Sequence, residues 1–320
     1  FQKTGRFVGA HCSDAWRVLA KRMVKLNSVA KSSAYMVPAK QTREEIGSDY
    51  YQGGMVLERS GAVHPGKLYQ GVLRVARCAG ARLFGNVRAG AIVRKGVSLQ
   101  LETSRGLLTA DKIIIATNGY TGDLSGWHQR RLVPIASYQV ATEELGLDAV
   151  TQLFPKHRMI ADTKRLLYYF RPSPDRKRLL FGGRARYLRH DPIAGGLHLR
   201  RKLTAVFPQL AGVKLSHGWW GYVAYLRGGV PDMGEGQPDM LPGVYHALGC
   251  HGSGVVMMSW LGYQTGLLVS GHANNKSAFS QIGMAPFPLY RKQPWFLPVV
   301  GAYFQMRDWT DRQFDGKSSV

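Results

Sequence analysis

The sequence predicts a mixed α/β fold, in which a layered α/β domain is interleaved with an antiparallel sheet. A β-branched run at 113–115 leads into small residues and glycine, as expected for a strand buried in an α/β sheet with a ligand at its carboxyl end. A glycine-rich turn at 249–254 precedes a long apolar helix. Between them, residues 132–226 are dominated by short strands and turns, which is typical of antiparallel pairing.

The first part of the chain changes from helical to strand periodicity. Apolar residues at helical spacing predict an amphipathic helix over 13–29. A capping-box pattern at 42–45 predicts a short helix, and His64-Pro65 opens another that ends at Gly80. Residues 81–117 read as a meander of short strands.

The second part is predicted to be mainly antiparallel. The turn Pro172-Ser173-Pro174-Asp175 connects two of its strands. The predicted strands cover 132–142, 166–170, 179–183, 213–225 and 244–248, and the predicted helices cover 197–207 and 254–271.

Composition favours a globular protein of two domains. The chain has 320 residues, 45% of them hydrophobic, which is enough for a large core. Three scattered cysteines do not form a disulfide framework or a metal-binding pair, so we expect a reducing, cytoplasmic location and no metal. Polar residues interrupt the apolar stretch 254–271, which therefore predicts a buried helix and no membrane span.

The formal net charge of +23 is the most unusual property of the composition. Basic residues are densest between 156 and 202. They form no long run and no aromatic-interleaved RNA-binding motif, so we expect no specific nucleic-acid partner. Solvated basic faces that attract anions at low salt are the simpler interpretation.

The turn at 249–254 carries the clearest functional signal. Three glycines in six residues allow the backbone to turn sharply and to approach a ligand closely. A helix that begins near Ser253 or Gly254 directs its free N–H groups towards that ligand, where they favour negative charge. The alternative is that the turn is ordinary architecture before a buried helix.

Four segments, taken in order, resemble the FAD-dependent amine and amino-acid oxidases, the D-amino-acid-oxidase-like family. They are Ile113 to Tyr120, Leu179 to Arg184, Trp219-Trp220-Gly221 and Gly249 to Val255. The resemblance covers nearly the whole chain and implies an FAD-dependent oxidoreductase. It implies a Rossmann-like FAD domain at 61–131 and 227–271, a substrate domain at 12–60 and 132–226, and a tail at 272–320.

The resemblance also implies which residues meet the cofactor. In the family, one backbone position meets the adenine, and a strand end and a glycine turn lie beside the flavin. The corresponding residues are Ala89, Ala116, Thr117, Asn118, Gly119, Gly249, His251, Gly252, Ser253, Gly254 and Val255.

One expected motif is absent from the sequence. The family opens with a strand, a Gly-x-Gly-x-x-Gly turn and a helix that hold the ADP half of FAD, and no such spacing of glycines occurs here. The chain also starts at Phe1. We therefore expect an incomplete FAD domain, in a fragment that lacks roughly a hundred N-terminal residues.

The substrate side is interpreted from a missing arginine. Relatives that oxidise α-amino acids carry an arginine where this chain has Val223, and a Thr and an Asp where it has Leu226 and Gly228. An apolar residue there favours an amine without an adjacent carboxylate. The resemblance implies a gamma-glutamylputrescine-like amine of polyamine catabolism. The candidate substrate residues are Tyr50, Tyr51, Tyr169, Arg171 and Tyr222.

Several alternatives stay open at this stage. Each tyrosine is also compatible with ordinary packing, and His217 and His251 with structural roles, so no catalytic base is assigned. The function is alternatively that of an N-demethylating or α-amino-acid oxidase, with Arg171 or Arg227 as the carboxylate clamp. An inactive basic fragment that binds anionic partners is the alternative outside enzymes. The oligomeric state is not predicted.

Overall fold

A computed structural model describes residues 1–184, 191–236, 241–272, 277–291 and 293–315. It has the predicted mixed α/β composition. The helices are α1 (Ser13–Ala30), α2 (Pro65–Cys78), α3 (Gly126–Gln129), α4 (Leu147–Leu153), α5 (Pro192–Val206), α6 (Gly254–Val269) and α7 (Leu297–Gln313). The strands are β1 (Arg6–Gly9), β2 (Ala34–Val37), β3 (Gly54–Leu57), β4 (Ala89–Lys95), β5 (Ser98–Thr103), β6 (Gly106–Ala110), β7 (Ile113–Ile115), β8 (Leu132–Thr142), β9 (Met159–Asp162), β10 (Tyr169–Pro172), β11 (Leu179–Gly183), β12 (Leu215–Leu226), β13 (Asp232–Glu235) and β14 (Val244–Leu248).

The chain divides into two compact units. Unit 1 comprises Phe1–Tyr69, Ala136–Gly221 and Phe296–Val320, and unit 2 comprises Gln70–Ile135 and Tyr222–Trp295. The predicted tail 272–320 is thus divided between them. Asp308 on α7 explains why the end of the chain joins unit 1, because its carboxylate accepts hydrogen bonds from the Arg165 and Leu166 backbone amides.

The main sheet has eight strands in the order β12-β8-β11-β10-β9-β1-β3-β2. β1 and β9 are parallel, with Phe7 opposite Ile160, whereas β10 is antiparallel to both β9 and β11. Successive residues of each strand point to opposite faces of the sheet, and the register determines which residues of neighbouring strands share a face.

The two faces of this sheet differ in chemistry. We call the first the phenylalanine face; its register aligns Phe7, Ile160, Phe170, Phe181 and Val140, all of them buried. α5 packs on it, with Gly195 against the ring of Tyr138. We call the other the tyrosine face; on β8, β10 and β11 it carries Ser137, Gln139, Tyr169, Arg171 and Gly182.

Unit 2 contains two small sheets. β14 lies between β13 and β7, antiparallel to the first and parallel to the second. β4, β5 and β6 form the predicted meander, with an irregularity in register between Ala89 and Ile92. The core contains Leu99, Trp127 and Leu248.

Several local predictions need correction. The capping box at 42–45 overlaps the end of a 3-10 helix, Ala39–Glu44, and does not open an α-helix. The helix predicted over 197–207 begins earlier, because Asp191 caps it by accepting a hydrogen bond from Ile193 N. β1, β2, β3, β9, β13 and α7 were not predicted.

The helix predicted to be buried forms as α6, but most of its surface is exposed. Among its residues only Leu261 and Thr265 are buried, and Val256 and Tyr263 are more than half exposed. The prediction of a buried helix was wrong, because apolar composition alone does not provide a covering layer. Among the described residues, no helix combines the length and the apolar character that a bilayer crossing needs.

Candidate functional site

The carboxyl end of β7 leads directly into the predicted cofactor residues Ala116 to Gly119. Asn118 adopts a left-handed backbone conformation, with φ of 46°. Its side-chain oxygen Oδ1 accepts hydrogen bonds from the backbone amides of Gly249, at 3.1 Å, and Cys250, at 3.3 Å. Asn118 therefore ties the β7 strand end to the glycine turn, and the structure brings together two of the predicted cofactor segments.

Gly119 and Tyr222 are in close contact. A Cβ atom at Gly119 would lie 2.6 Å from the Cβ of Tyr222, so no other residue fits without displacement. The backbone amide of Tyr222 donates to the hydroxyl oxygen of Tyr120 at 3.2 Å, and the two rings form an edge-to-face pair. Thr117 is engaged locally, through a 2.9 Å hydrogen bond with Thr121. Tyr222 thus lies beside the end of β7.

The turn after β14 requires glycine at two positions. Gly249 and Gly252 have φ of 85° and 83°. A Cβ at Gly249 would lie 2.5 Å from Cδ1 of Leu226, whereas one at Gly252 would meet nothing closer than 3.8 Å. Gly249 is therefore needed for packing, while the Cβ position of Gly252 faces open space.

His251 holds this turn and is not free to act as a base. Its Nε2 atom accepts a hydrogen bond from the backbone amide of Leu226 at 3.1 Å, which leaves the ring proton on Nδ1. A hydrogen bond also links the ring to the Val230 backbone, and burial lowers the pKa of the imidazole. The ring packs edge-on against Tyr225. The imidazole of His251 is neutral and makes two hydrogen bonds to the backbone, so its role here is to stabilise the turn.

The amino end of α6 offers backbone donors that no side chain caps. Ser253 is the N-cap residue, and its side chain does not cap the helix. The first N–H groups, beginning at Gly254 and Val255, lack an intrahelical acceptor by geometry. Gly252 and Ser253 are both exposed. An anionic or electron-rich ring edge therefore fits this end of the helix, with no Cβ of Gly252 in its way.

Ala89 lies at a different place in unit 2. It starts β4 opposite Thr103, next to the irregularity in the meander, and it is exposed. Its contacts do not tie it to the strand end or to the glycine turn. Its assignment to the adenine stays a prediction.

The candidate substrate residues of unit 1 form two groups on opposite faces of the main sheet. Tyr51 is buried and stacks on Phe170, on the phenylalanine face, with its ring centroid at 6.5 Å. Tyr169 precedes Phe170 in β10 and therefore lies on the tyrosine face, as does Arg171. Tyr50 packs against Tyr51.

Tyr50 already has cationic neighbours. Nζ of Lys164 donates to its hydroxyl at 3.3 Å, and the guanidinium of Arg312 lies 4.0 Å from its ring centroid. Lys164 is itself buried against Asp162, with Nζ to Oδ2 at 3.2 Å, and the hydroxyl of Tyr51 approaches the same oxygen at 3.4 Å. A substrate ammonium group at Tyr50 would be repelled by these two cations.

The tyrosine face presents side chains that are half-buried. The hydroxyl group of Tyr169 is hydrogen-bonded to Ser137 Oγ at 2.6 Å and donates to the Tyr138 carbonyl at 3.2 Å. Its ring lies over Gly182, where a Cβ atom would come within 2.1 Å of it. Tyr169 is therefore fixed flat on the sheet.

Sequence reasoning missed several residues around these positions. Ser137 and Gln139 share the tyrosine face with Tyr169. Trp220 packs against Tyr138, so Trp219, the preceding residue in β12, points to the other face, where it is 43% exposed. The alternation of side chains along β8 and β12 identifies these residues only when the pairing of the strands is also known.

A possible metal-binding group in unit 1 is already occupied by protein contacts. One ligand atom each from His11, Asp308 and Asp311 lies within 4.8 Å of the others. Arg165 binds both carboxylates, and Nδ1 of His11 is hydrogen-bonded to Thr163. The guanidinium supplies the positive charge that a metal ion would bring.

Behind the glycine turn, unit 2 buries three polar side chains. His128, His246 and Asp232 are at most 3% exposed, and their ring nitrogens and carboxylate oxygens make no hydrogen bond. Nε2 of His246 lies 3.7 Å from Oδ1 of Asp232, and the two imidazole rings are 5.4 Å apart. Burial, together with the charges of His246 and Arg131, lowers the pKa of His128 to about 3. No motif in the sequence signalled this cluster.

Comparison with known proteins gives the family. A profile described as FAD-dependent oxidoreductase (DAO) covers residues 1–266. The chain is 32% identical over 271 residues to a probable oxidoreductase OrdL of Rhizobium meliloti, covering 84% of this chain and 61% of that protein. It is 30% identical over 276 residues to the gamma-glutamylputrescine oxidoreductase of Escherichia coli, covering 85% and 63%. The chain thus spans about three-fifths of the length of these relatives.

Solved structures share the fold. The glycine oxidase from Geobacillus kaustophilus superimposes with a TM-score of 0.75 at 18% identity, over 89% of this chain and 75% of that one. The L-proline dehydrogenase from P. horikoshii gives 0.72 at 14% identity, over 86% and 74%. The resemblance found in the sequence is therefore confirmed, and the chain belongs to the DAO family of FAD-dependent oxidoreductases.

Proposed function

We propose that this chain serves an FAD-dependent oxidation of an amine at a carbon–nitrogen bond, with a gamma-glutamylputrescine-like amine as substrate. The observation that carries the proposal is the glycine turn at the amino end of α6, which Asn118 and His251 hold in place. We further propose that unit 2 binds the flavin and that the tyrosine face of unit 1 receives the substrate. The free cysteines support a cytoplasmic location.

The residues of unit 2 act mainly through their backbone. The chemistry that FAD would supply when bound is acceptance of a hydride equivalent from the carbon beside the substrate nitrogen. The N–H groups at Gly254 and Val255 would then stabilise the negative charge at the ring edge. The resulting imine is hydrolysed by water to a carbonyl product and an amine. Asn118 and His251 position the turn and transfer no proton.

Val223 supports the choice of substrate class. It is half-buried on β12, at the position where α-amino-acid oxidases of the family carry an arginine. A carboxylate desolvated there without a counter-charge costs several kcal/mol. The relative from Escherichia coli is named for a gamma-glutamylated diamine, which supports an amine whose reacting carbon bears no carboxylate.

Binding of FAD to the purified chain is the first test. Titration followed by flavin fluorescence should give saturable binding with a dissociation constant of about micromolar or weaker, because the sequence offers no Gly-x-Gly-x-x-Gly cradle for the pyrophosphate. No saturable binding would reject the proposed function. Binding far tighter than micromolar would instead show that other residues supply the cradle.

The second test concerns the substrate. With FAD in excess, kcat/KM for gamma-glutamylputrescine should exceed the values for D-alanine, glycine and sarcosine by at least roughly a hundredfold. The substitution Val223→Arg should reduce this difference, because it should raise kcat/KM for the three amino acids. Preference of the wild type for the small amino acids would reject the substrate assignment, and Arg171 and Arg227 would become the candidate clamps.

A further inference from the structure

Arg171 is a half-buried cation without a carboxylate partner among the described residues. Its Nη1 donates to the Val63 carbonyl at 2.8 Å and its Nε to the Pro172 carbonyl at 3.1 Å. Burial lowers the pKa of its guanidinium, so the protein maintains this charge at a cost. Two carbonyls orient the guanidinium but leave donors available, which is the arrangement of an arginine prepared to bind an anion.

Arg171 lies on the same face as Tyr169 but reaches in the other direction. The two residues are separated by one strand repeat, about 7 Å along β10. Tyr169 lies over β11 towards Ser137 on β8, whereas Arg171 reaches Val63, which follows β3 on the opposite side of β10. A ligand that contacts both residues therefore needs two ends separated by several bonds.

We propose that Arg171 binds a carboxylate at the far end of the amine substrate, so that the preferred substrate class is an amine with a distal carboxylate. The inference rests on the proposed function, because it assumes that the tyrosine face receives the substrate. It adds a specificity-determining residue that recognises charge far from the oxidised carbon. Arg171 would select a substrate whose carboxylate lies at a distance from the reacting amine.

Three six-carbon ligands test this proposal without any need for turnover. They are 6-aminohexanoate, whose carboxylate is distal, 2-aminohexanoate, whose carboxylate is adjacent, and 1-aminohexane, which has none. Calorimetric titration of the purified chain should show 6-aminohexanoate binding roughly tenfold to a hundredfold more tightly than the other two, as expected for a partly desolvated charge-assisted pair. Equal binding of the three, or no binding of 6-aminohexanoate, would overturn the proposal.

Substitutions assign the preference to Arg171. Arg171→Gln should bring the affinity for 6-aminohexanoate to that for 1-aminohexane, and Arg171→Lys should retain part of the preference because it keeps the charge. Arg105→Gln removes an exposed arginine from the β5–β6 turn and should change nothing. Thermal unfolding of each variant confirms folding. A preference that survives in Arg171→Gln would refute the role of Arg171.

The result separates this inference from the proposed function. Selective binding of 6-aminohexanoate without FAD-dependent amine oxidation would support the anion site and reject the proposed amine oxidation by this chain. Oxidation of gamma-glutamylputrescine with no selectivity among the three ligands would support the proposed function and reject the anion site at Arg171.

Discussion

The two candidate regions of this molecule use the polypeptide in different ways. In unit 2 the proposed cofactor site consists mainly of backbone, at Gly252 and the first amides of α6, while Asn118 and His251 hold the turn. In unit 1 the site is made of side chains, since Tyr169 and Arg171 extend from a regular strand. The candidate region of unit 2 depends on particular φ angles in the turn, and that of unit 1 depends on the register of the strands.

This difference determines how each region responds to substitution. A backbone-built site fails when a residue cannot adopt the required φ or when a tie to the turn is cut. A side-chain-built site tolerates backbone variation but depends on the volume of its neighbours in the sheet. The substitutions below probe the two regions separately.

The largest expected effect is that of Gly252→Val. A β-branched residue at φ of 83° is strained, and its side chain would fill the open side of the turn. We expect FAD affinity to fall roughly a hundredfold or more, measured by flavin fluorescence titration.

Gly262→Val is the matched control, because Gly262 lies on the exposed surface of the same helix with nothing near its Cβ position. It should leave FAD affinity nearly unchanged. Equal losses in both variants would mean that stability of α6, and not the geometry of the turn, governs binding.

The second prediction concerns Asn118. Asn118→Ala removes the acceptor for two part-buried amides, at Gly249 and Cys250, and should lower the free energy of unfolding by about 2 kcal/mol in urea titrations. Asn118→Asp keeps the acceptor oxygen and tolerates the left-handed backbone, so it should retain most of that stability. If Asp and Ala cost the same, the two hydrogen bonds do not stabilise the turn.

The same contrast explains which features the sequence reveals. The glycine turn at 249–254 and the strand end at 116–119 are local patterns, so the order of residues alone is enough to locate both. That Tyr51 and Tyr169 lie on opposite faces follows from register, which depends on pairing between residues distant in sequence. The strands β1, β2 and β3 were missed for a related reason: four-residue strands carry too little periodicity to be detected alone.

Burial was the least predictable property. The apolar run of α6 predicted where the helix lies but not how much of its surface is exposed. Exposure depends on which other elements pack against the helix, and the helix sequence does not show this. The cluster of His128, His246 and Asp232 shows the reverse case, in which polar residues from three separate segments become buried together. No spacing rule links these residues.

The third prediction tests the tyrosine face. Gly182→Ala places a methyl group within 2.1 Å of the Tyr169 ring, which Ser137 and the Tyr138 carbonyl hold in place. We expect destabilisation of about 1 to 2 kcal/mol in urea unfolding. In a Tyr169→Ala background the same change should cost much less, since the clash is gone. Additive effects in the double variant would show that the ring is free to move aside.

The last prediction concerns the pH dependence of stability in the interior of unit 2, where the expected change is about 1 kcal/mol for each pH unit. His128 is fully buried, and its pKa is lowered to about 3 from 6.5, so the native state does not take up its proton between these values whereas the unfolded state does. Stability due to this group is complete above pH 6.5 and is lost as the pH falls towards 3, by about 1 kcal/mol per pH unit. His128→Phe should flatten this part of the stability profile, measured by urea unfolding between pH 7 and 5, while His217→Phe, at an exposed histidine, should not. Because the charges of His246 and Arg131 act together with burial on this ring, a variant profile as steep as that of the wild type would show that His128 is not the source of the acid-dependent loss of stability.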